Sequence, residues 1–128
     1  TVRIEANTMI DMAKTEIAPA VSAYVLELAN TAAAKKAVDD SVSRSYETEL
    51  VKKLGRLEDQ IAARTDELEE AVIKLQDAED VAAESYMIRD TVLVKMGELR
   101  AACDKAETMT AKKYWPFPTY GDLLFGVK

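Results

Sequence analysis

The chain has 128 residues, which is enough for one modest domain. Its 17 basic and 23 acidic residues give a net charge of −6, and this acidic balance argues against nucleic acid or an anionic membrane surface as a partner. A hydrophobic fraction of 48% is too high for intrinsic disorder. The sequence contains no uninterrupted run of 18 apolar residues, so it predicts no membrane span. Four glycines and three prolines are too few for a barrel, a sandwich or a doubly wound sheet. The composition therefore predicts an all-α fold.

Both the start of the chain and its cysteine content bear on its origin. Thr1 is not a Met, and the residues after it lack the layout of a signal peptide, so we expect a piece of a longer chain. Cys103 is the only cysteine, which excludes an internal disulfide and favours a reducing compartment. The pattern predicts a buried structural thiol for Cys103 in preference to a nucleophile.

A first helix is predicted over about residues 4–36. Its apolar positions recur at spacings of three and four: Ile10, Ala13, Ile17, Val21, Tyr24 and Leu28. Pro19 lies inside this pattern, and two alternatives stay open, a kink at Pro19 or a helix that starts afresh there. The stretch from Val38 to Arg44 is rich in Asp and Ser and predicts a loop.

A second helix, about 46–76, carries the most regular pattern. Spacings of four and three alternate along Leu50, Leu54, Leu57, Ile61, Arg64, Leu68, Ala71 and Leu75, which is typical of a coiled-coil seam. We expect Arg64 to bury its stem and turn its guanidinium outward in preference to binding an anion. The acidic run at residues 66–70 is interpreted as a solvated face in preference to a metal site.

A turn near residues 77–80 separates this helix from a third one at about 81–112; without the turn, the two would form one long rod. The third stripe consists of Ile88, Val92, Met96, Leu99, Cys103 and Ala106, with Met87, Met96 and Met109 as core filler. Three such stripes predict a long antiparallel helical bundle over residues 1–112, about 45 Å from end to end, followed by an extended aromatic tail over 113–128.

The sequence offers little for catalysis. It contains no His, and Gly55 and Gly97 are isolated within predicted helices instead of forming a phosphate loop. We therefore predict no catalytic, cofactor-binding or metal-binding residue in this segment. Structural support and protein contact are the functions that remain.

The tail is the most distinctive part of the chain. Aromatic side chains on a backbone stiffened by Pro116 and Pro118 lose little entropy on docking, so they suit an anchor in a groove. The candidate anchor residues are Trp115, Phe117, Tyr120, Leu123 and Phe125. Two places of docking stay open, the chain's own bundle between its first and third helices or a neighbouring subunit.

Three stretches resemble type III glutamine synthetases. Residues 113–125, Lys-Tyr-Trp-Pro-Phe-Pro-Thr-Tyr-Gly-Asp-Leu-Leu-Phe, look like the extreme C-terminus of that family. Residues 4–14 resemble its segment just after the catalytic region, and Arg89-Asp90 with residues 96–100 resemble its last long helix. The middle of the chain, about 33–83, is generic coiled-coil sequence.

This resemblance implies a parent enzyme that ligates ammonia to glutamate with ATP through a γ-glutamyl phosphate, using Mg or Mn ions. It implies a cytoplasmic homo-oligomer in which this segment contacts its own catalytic domain and neighbouring subunits. No residue here matches the family's metal-binding or phosphate-binding motifs, so no catalytic role is transferred. The alternative is a free-standing coiled-coil adaptor with no enzymatic parent.

Overall fold

Three long helices make up the part of the chain, residues 1–117, that the computed structural model describes. Helix α1 runs over Val2–Val38, helix α2 over Ser45–Leu75 and helix α3 over residues 81–109. These residues contain no β-strand, so the all-α prediction is confirmed. A break at residues 76–80 separates α2 from α3, and the single rod is therefore excluded.

The helices end where side chains or backbone conformation stop them. Asp80 adopts an extended conformation and its Oδ1 accepts a 2.7 Å hydrogen bond from the Ala83 N–H, which caps the start of α3. At the end of α1, Asp39 is extended, and Lys35 and Lys36 lie in the last turn at the negative end of the helix dipole. Both boundaries follow from local sequence.

Helices α1 and α3 each contain one π-helical turn, at Ala13–Ile17 and Ile88–Val92. In the first turn the Ala18 N–H donates to the Ala13 carbonyl, five residues back. Pro19 follows directly and lacks an N–H, so a widened turn before it is compatible with the missing donor. The backbone stays helical through Pro19, and the alternative of a helix that starts afresh there is wrong.

The core is a continuous strip of apolar side chains between the three helices. All six predicted stripe positions of α1 are buried, together with Ala6. In α2 the buried face is wider than the predicted seam, because this helix packs against both others: Thr65 and Val72 are buried, whereas Leu50 and Arg64 are half-buried. In α3 every predicted stripe position is buried except Ile88, which is half-buried.

Ion pairs between helices show how the helices run. Lys14 and Lys35 of α1 pair with Glu69 and Glu47 of α2, both at 2.7 Å, so α1 and α2 are antiparallel. Lys95 of α3 pairs with Glu67 of α2 at 3.2 Å. The acidic run 66–70 is therefore only partly a solvated face. Its Glu69 pairs with Lys14 of α1, and its Glu67 pairs with Lys95 of α3.

The end of the third helix differs from the prediction. Helix α3 stops at Met109 instead of residue 112, because Thr110 takes an extended conformation (φ −97°, ψ 134°). The segment predicted to be extended from residue 113 begins with a 3₁₀ turn at Lys112–Tyr114 and becomes extended at Trp115. Tyr120, Leu123 and Phe125 lie outside the described residues.

Helix α1 is long and apolar enough, by length and composition, to cross a membrane, although it contains no uninterrupted run of 18 apolar residues. It is one such helix among residues 1–117, and a helix in a protein core passes the same test. Its apolar stripe packs against α2 and α3, while 22% of its most apolar 18-residue window is buried in the structure.

Candidate functional site

The segment after α3, residues 110–117, turns back onto α1, and we call it the tail segment. Thr110 is buried, and its N–H still donates to the Ala106 carbonyl at 3.0 Å. The Tyr114 N–H donates to the Ala111 carbonyl at 2.9 Å, which closes the 3₁₀ turn. These two bonds set the direction in which the segment leaves the helix.

Glu27 of α1 is the polar partner of the tail segment. Its Oε1 accepts hydrogen bonds from Lys113 Nζ and from the Tyr114 hydroxyl, both at 2.9 Å. The hydrogen bond from Lys113, followed by that from Tyr114, holds the pKa of Glu27 below its ordinary value. The same carboxylate raises the pKa of Lys113 and of Tyr114. This contact joins residues more than 80 positions apart.

An aromatic pair lies beside this polar contact. The rings of Tyr24 and Tyr114 have centroids 5.6 Å apart and are inclined by 39°, within the range of favourable aromatic pairs. The Lys113 ammonium lies 5.2 Å from the centroid of the Tyr114 ring. Burial raises the pKa of Tyr24. Tyr114 therefore makes both an apolar and a polar contact with α1.

Two of the predicted anchor residues are described, Trp115 and Phe117. Both are half-buried and pack against the apolar core. The sequence reasoning missed Tyr114 and Glu27. Tyr114 lies inside the aromatic tail and had a compositional signal. Glu27 is one of four acidic residues on α1, and no local pattern distinguishes it from the other three.

An elongated groove lies between α1 and α3, next to the tail segment. It has a volume of about 570 Å³, and its lining is mostly apolar. The lining residues of α1 span Ile4 to Ile17, those of α3 span Met96 to Glu107, and Trp115 and Phe117 complete the lining. Ile4 is 65% exposed, so the groove is open to solvent on its α1 side.

Cys103 lines the same groove. The thiol is free and buried, as the sequence predicted. Burial, with a smaller contribution from the charge of Asp104, raises its pKa to about 11. A thiol with that pKa is almost entirely protonated near neutral pH, and its place here is that of a small apolar side chain.

Several charged side chains elsewhere in the described residues form ion pairs. Arg64 is half-buried and pairs with Glu67 at 2.9 Å; its Nε is buried without a partner, so the guanidinium is only partly turned outward. Glu47 is buried, and the hydrogen bond from Lys35 lowers its pKa. Within residues 1–117, no group of three or more His, Cys, Asp or Glu side chains is placed to hold a metal ion. The arrangement is suited to binding an apolar segment.

Comparison with known proteins adds two findings. Residues 1–36 match the family model described as the glutamine synthetase C-terminal domain. A glutamine synthetase from Butyrivibrio fibrisolvens is 28% identical to this chain over 127 residues, which is 99% of the chain and 18% of that protein. Because the alignment covers nearly every residue, it includes the three helices and the tail segment.

These similarities support a relationship between this chain and the C-terminal domain of glutamine synthetase. The chain spans about a fifth of the length of the relative from Butyrivibrio fibrisolvens. The similarity to the family model is confined to the part of α1 up to Lys36.

Proposed function

We propose that this chain is the C-terminal helical domain of a type III glutamine synthetase and that it serves the assembly or support of the parent enzyme. The observation that carries the proposal is the alignment of 127 residues, at 28% identity, with a glutamine synthetase of which this chain corresponds to 18%. The assignment to type III rests on the tail sequence, residues 113–125, and on the resemblance it carries.

The proposal places the chemistry outside this chain. The parent enzyme would join ammonia to glutamate with ATP and Mg or Mn ions, and those groups would bind in its catalytic region. The donor set of the described residues does not fit a catalytic metal, because the carboxylates of α2 splay around one helix and several are paired with lysines. No catalytic step is therefore assigned to any residue here.

The partners proposed are the catalytic domain of the same chain and neighbouring subunits of a cytoplasmic homo-oligomer. One end of the bundle supports a contact role. Ile73 near the end of α2 and Val81 and Tyr86 at the start of α3 are large hydrophobic side chains that are 60–81% exposed. Because a five-residue turn joins the two helices, these side chains lie at the same end, and we call them the apolar end.

The decisive experiment uses the intact parent protein. Ile73→Asp combined with Tyr86→Asp places charges in the apolar end, and we expect a smaller particle by light scattering with unchanged helical content. The matched control is Asp66→Ala with Glu70→Ala, two exposed positions on α2, which should leave the particle mass unchanged. An unchanged mass in the first variant would overturn a role of the apolar end in assembly.

Two cheaper observations test the assignment itself. The reading frame upstream of Thr1 should encode a ligase domain; its absence would favour the free-standing adaptor. The isolated chain should show no γ-glutamyl transfer with ATP and Mg²⁺ or Mn²⁺. Turnover that survives repurification of the chain would contradict the non-catalytic role.

A further inference from the structure

We propose that a pocket between α2 and α3 binds a small phosphate-bearing anion of the diphosphate class. The pocket has a volume of about 370 Å³. Its lining comes from both helices and consists of Lys53, Arg56, Leu57, Gln60, Lys105 and Met109; we call it the basic pocket. The inference rests on the side chains of this chain alone and does not depend on the proposed function.

Helix geometry explains why the α2 residues of the pocket face α3. Eleven residues make about three turns of an α-helix, so side chains eleven positions apart lie on the same face. Arg56 lies eleven positions before Glu67, and Glu67 pairs with Lys95 of α3. Lys53 and Gln60 lie three positions before and four positions after Arg56, so they share its face. The α2 side of the pocket is therefore built on one regular helix.

The seam between α2 and α3 changes in charge along its length. Around Glu67, two cations contact one carboxylate at 2.9 and 3.2 Å. In the basic pocket the cations are Lys53, Arg56 and Lys105, and within residues 1–117 no carboxylate forms an ion pair with any of them. The lining contains no acidic side chain. The folded chain thus leaves positive charge unneutralised here, although its net charge is −6.

The acidic side chains closest in sequence are placed elsewhere. Glu58 lies eleven positions before Glu69, which pairs with Lys14 of α1, so Glu58 lies on the side of α2 that faces α1. Asp59 and Asp104 are exposed, and neither lines the pocket. An anion in the basic pocket therefore meets no carboxylate among the lining residues.

A neighbouring hollow adds an unused hydrogen-bond donor. Gln60 and Lys105 line both the basic pocket and a hollow of about 280 Å³, which extends to Arg64. The Nε of Arg64 is buried and has no hydrogen-bond partner, and a buried donor without a partner lowers stability. Glu98 also lines the hollow and pairs with Lys95 at 3.2 Å. A phosphate oxygen that extends from the pocket past Gln60 would accept from the unused donor.

The cations indicate the class of ligand. The guanidinium of Arg56 has the planar geometry that binds two phosphate oxygens at once, and a lysine ammonium adds a point charge. A single phosphate group carries about −1.5 to −2 charges at neutral pH, which is less than three cations balance. A diphosphate matches them better. All three cations are exposed and reachable from solvent, whereas Leu57 is buried at the base of the pocket.

Calorimetric titration of the 128-residue chain with pyrophosphate tests the proposal. We expect one site per chain and weaker binding of orthophosphate. Arg56→Gln combined with Lys105→Gln removes two charges of the pocket and should lower the affinity about ten-fold or more, because hydrogen bonds to charged groups are lost. The matched control is Lys74→Gln with Arg89→Gln, which removes the same charges at exposed positions outside the pocket. It should change the affinity less than about two-fold, because salt screens distant charges.

The outcomes separate a specific site from general attraction. Equal losses in the two double variants, with unchanged circular dichroism, would show that overall charge attracts the ligand and would overturn the proposal. Absence of pyrophosphate binding by the unaltered chain would also overturn it. Citrate binding more tightly than pyrophosphate would contradict the phosphate class. ADP distinguishes the source of the diphosphate group: tighter binding than pyrophosphate supports an organic diphosphate, and weaker binding supports the free anion.

A second readout locates the ligand without a substitution. Of the five methionines, Met109 alone lines the basic pocket. In a chain labelled with ¹³C at the methionine methyl groups, pyrophosphate should shift the resonance of Met109 and leave those of Met9 and Met87 in place. Shifts at the other methionines without a shift at Met109 would place the ligand elsewhere and overturn the proposal.

Discussion

The core between the three helices and the contact of the tail segment hold their parts together by different means. The core consists of aliphatic side chains such as Leu54, Leu68 and Leu99 that are fully buried. The tail contact combines half-buried aromatic rings with one half-buried carboxylate, Glu27, whose partner Lys113 is exposed. The stabilisation from burying aliphatic side chains is large and depends little on pH or salt. The stabilisation from an ion pair open to solvent is small and depends on both. The two regions should therefore respond to different perturbations.

The largest effect is expected in the core. Leu57→Ala removes a side chain that is 3% exposed and should lower the free energy of unfolding by about 2–5 kcal/mol, as large-to-small core changes do. By contrast, Glu69→Ala loses only its partly exposed pair with Lys14 and should cost less than about 1 kcal/mol. Urea denaturation followed by circular dichroism measures both. Similar costs would mean that the assignment of the two faces of α2 is wrong.

An intermediate effect is expected in the tail segment. Phe117→Ala removes a half-buried ring and should cost about 1–2 kcal/mol, below the cost of a core substitution. It should also make the fluorescence of Trp115, the only tryptophan, easier to quench with iodide. Lys105→Ala, at an exposed position on α3, serves as the control and should change neither quantity. Unchanged quenching in Phe117→Ala would show that the two rings do not dock together.

A smaller effect, of opposite sign, is expected on the outer face of α3. Gly97 lies inside the helix, and a Cβ added there meets no atom within 4 Å. Gly97→Ala should raise the free energy of unfolding by about 0.5–1 kcal/mol, because alanine loses less backbone entropy in a helix. Thermal melts at neutral pH measure it. A destabilised variant would indicate that this face packs against something in the folded protein.

The smallest effect is expected at Glu27 and appears as a change in pH dependence. Its pKa is lowered in the folded chain, so its contribution is present above the ordinary carboxyl pKa and is lost as the pH falls through the lowered value. Glu27→Gln should therefore flatten the loss of stability in acid. Burial raises the pKa of Glu58, so Glu58→Gln should make that loss steeper. Melting temperatures across the acid range test both signs, and equal signs would contradict this account.

The sequence predicted the core better than the tail contact, for a physical reason. Helical periodicity is local, and spacings of three and four were enough to find Ile10, Ile17 and Leu28 on one face of α1. The buried face of α2 is wide because this helix packs against both α1 and α3. Periodicity does not show how many helices pack against a given one, so the burial of Thr65 and Val72 was not predicted.

The tail contact depends on partners far apart in the chain. Tyr114 and Glu27 are 87 positions apart, and no local pattern connects them. The aromatic composition predicts that the tail has an apolar surface to cover, and within the described residues Trp115 and Phe117 are half-buried beside the core. Which helix supplies the polar partner is a consequence of tertiary packing alone.

Each π turn accommodates one residue more than an α-helical turn, so the residues after it stay on the same face of the helix. Two successive spacings of four occur in α1 at Ala13, Ile17 and Val21, and in α3 at Ile88, Val92 and Met96. The π turns lie at these positions, and each takes in one residue more than a regular helical turn. Deleting Thr15 should therefore restore an ordinary turn and leave the rest of α1 facing its neighbours. Deleting Ala62 from α2, which has no such turn, would rotate everything after it by about 100°.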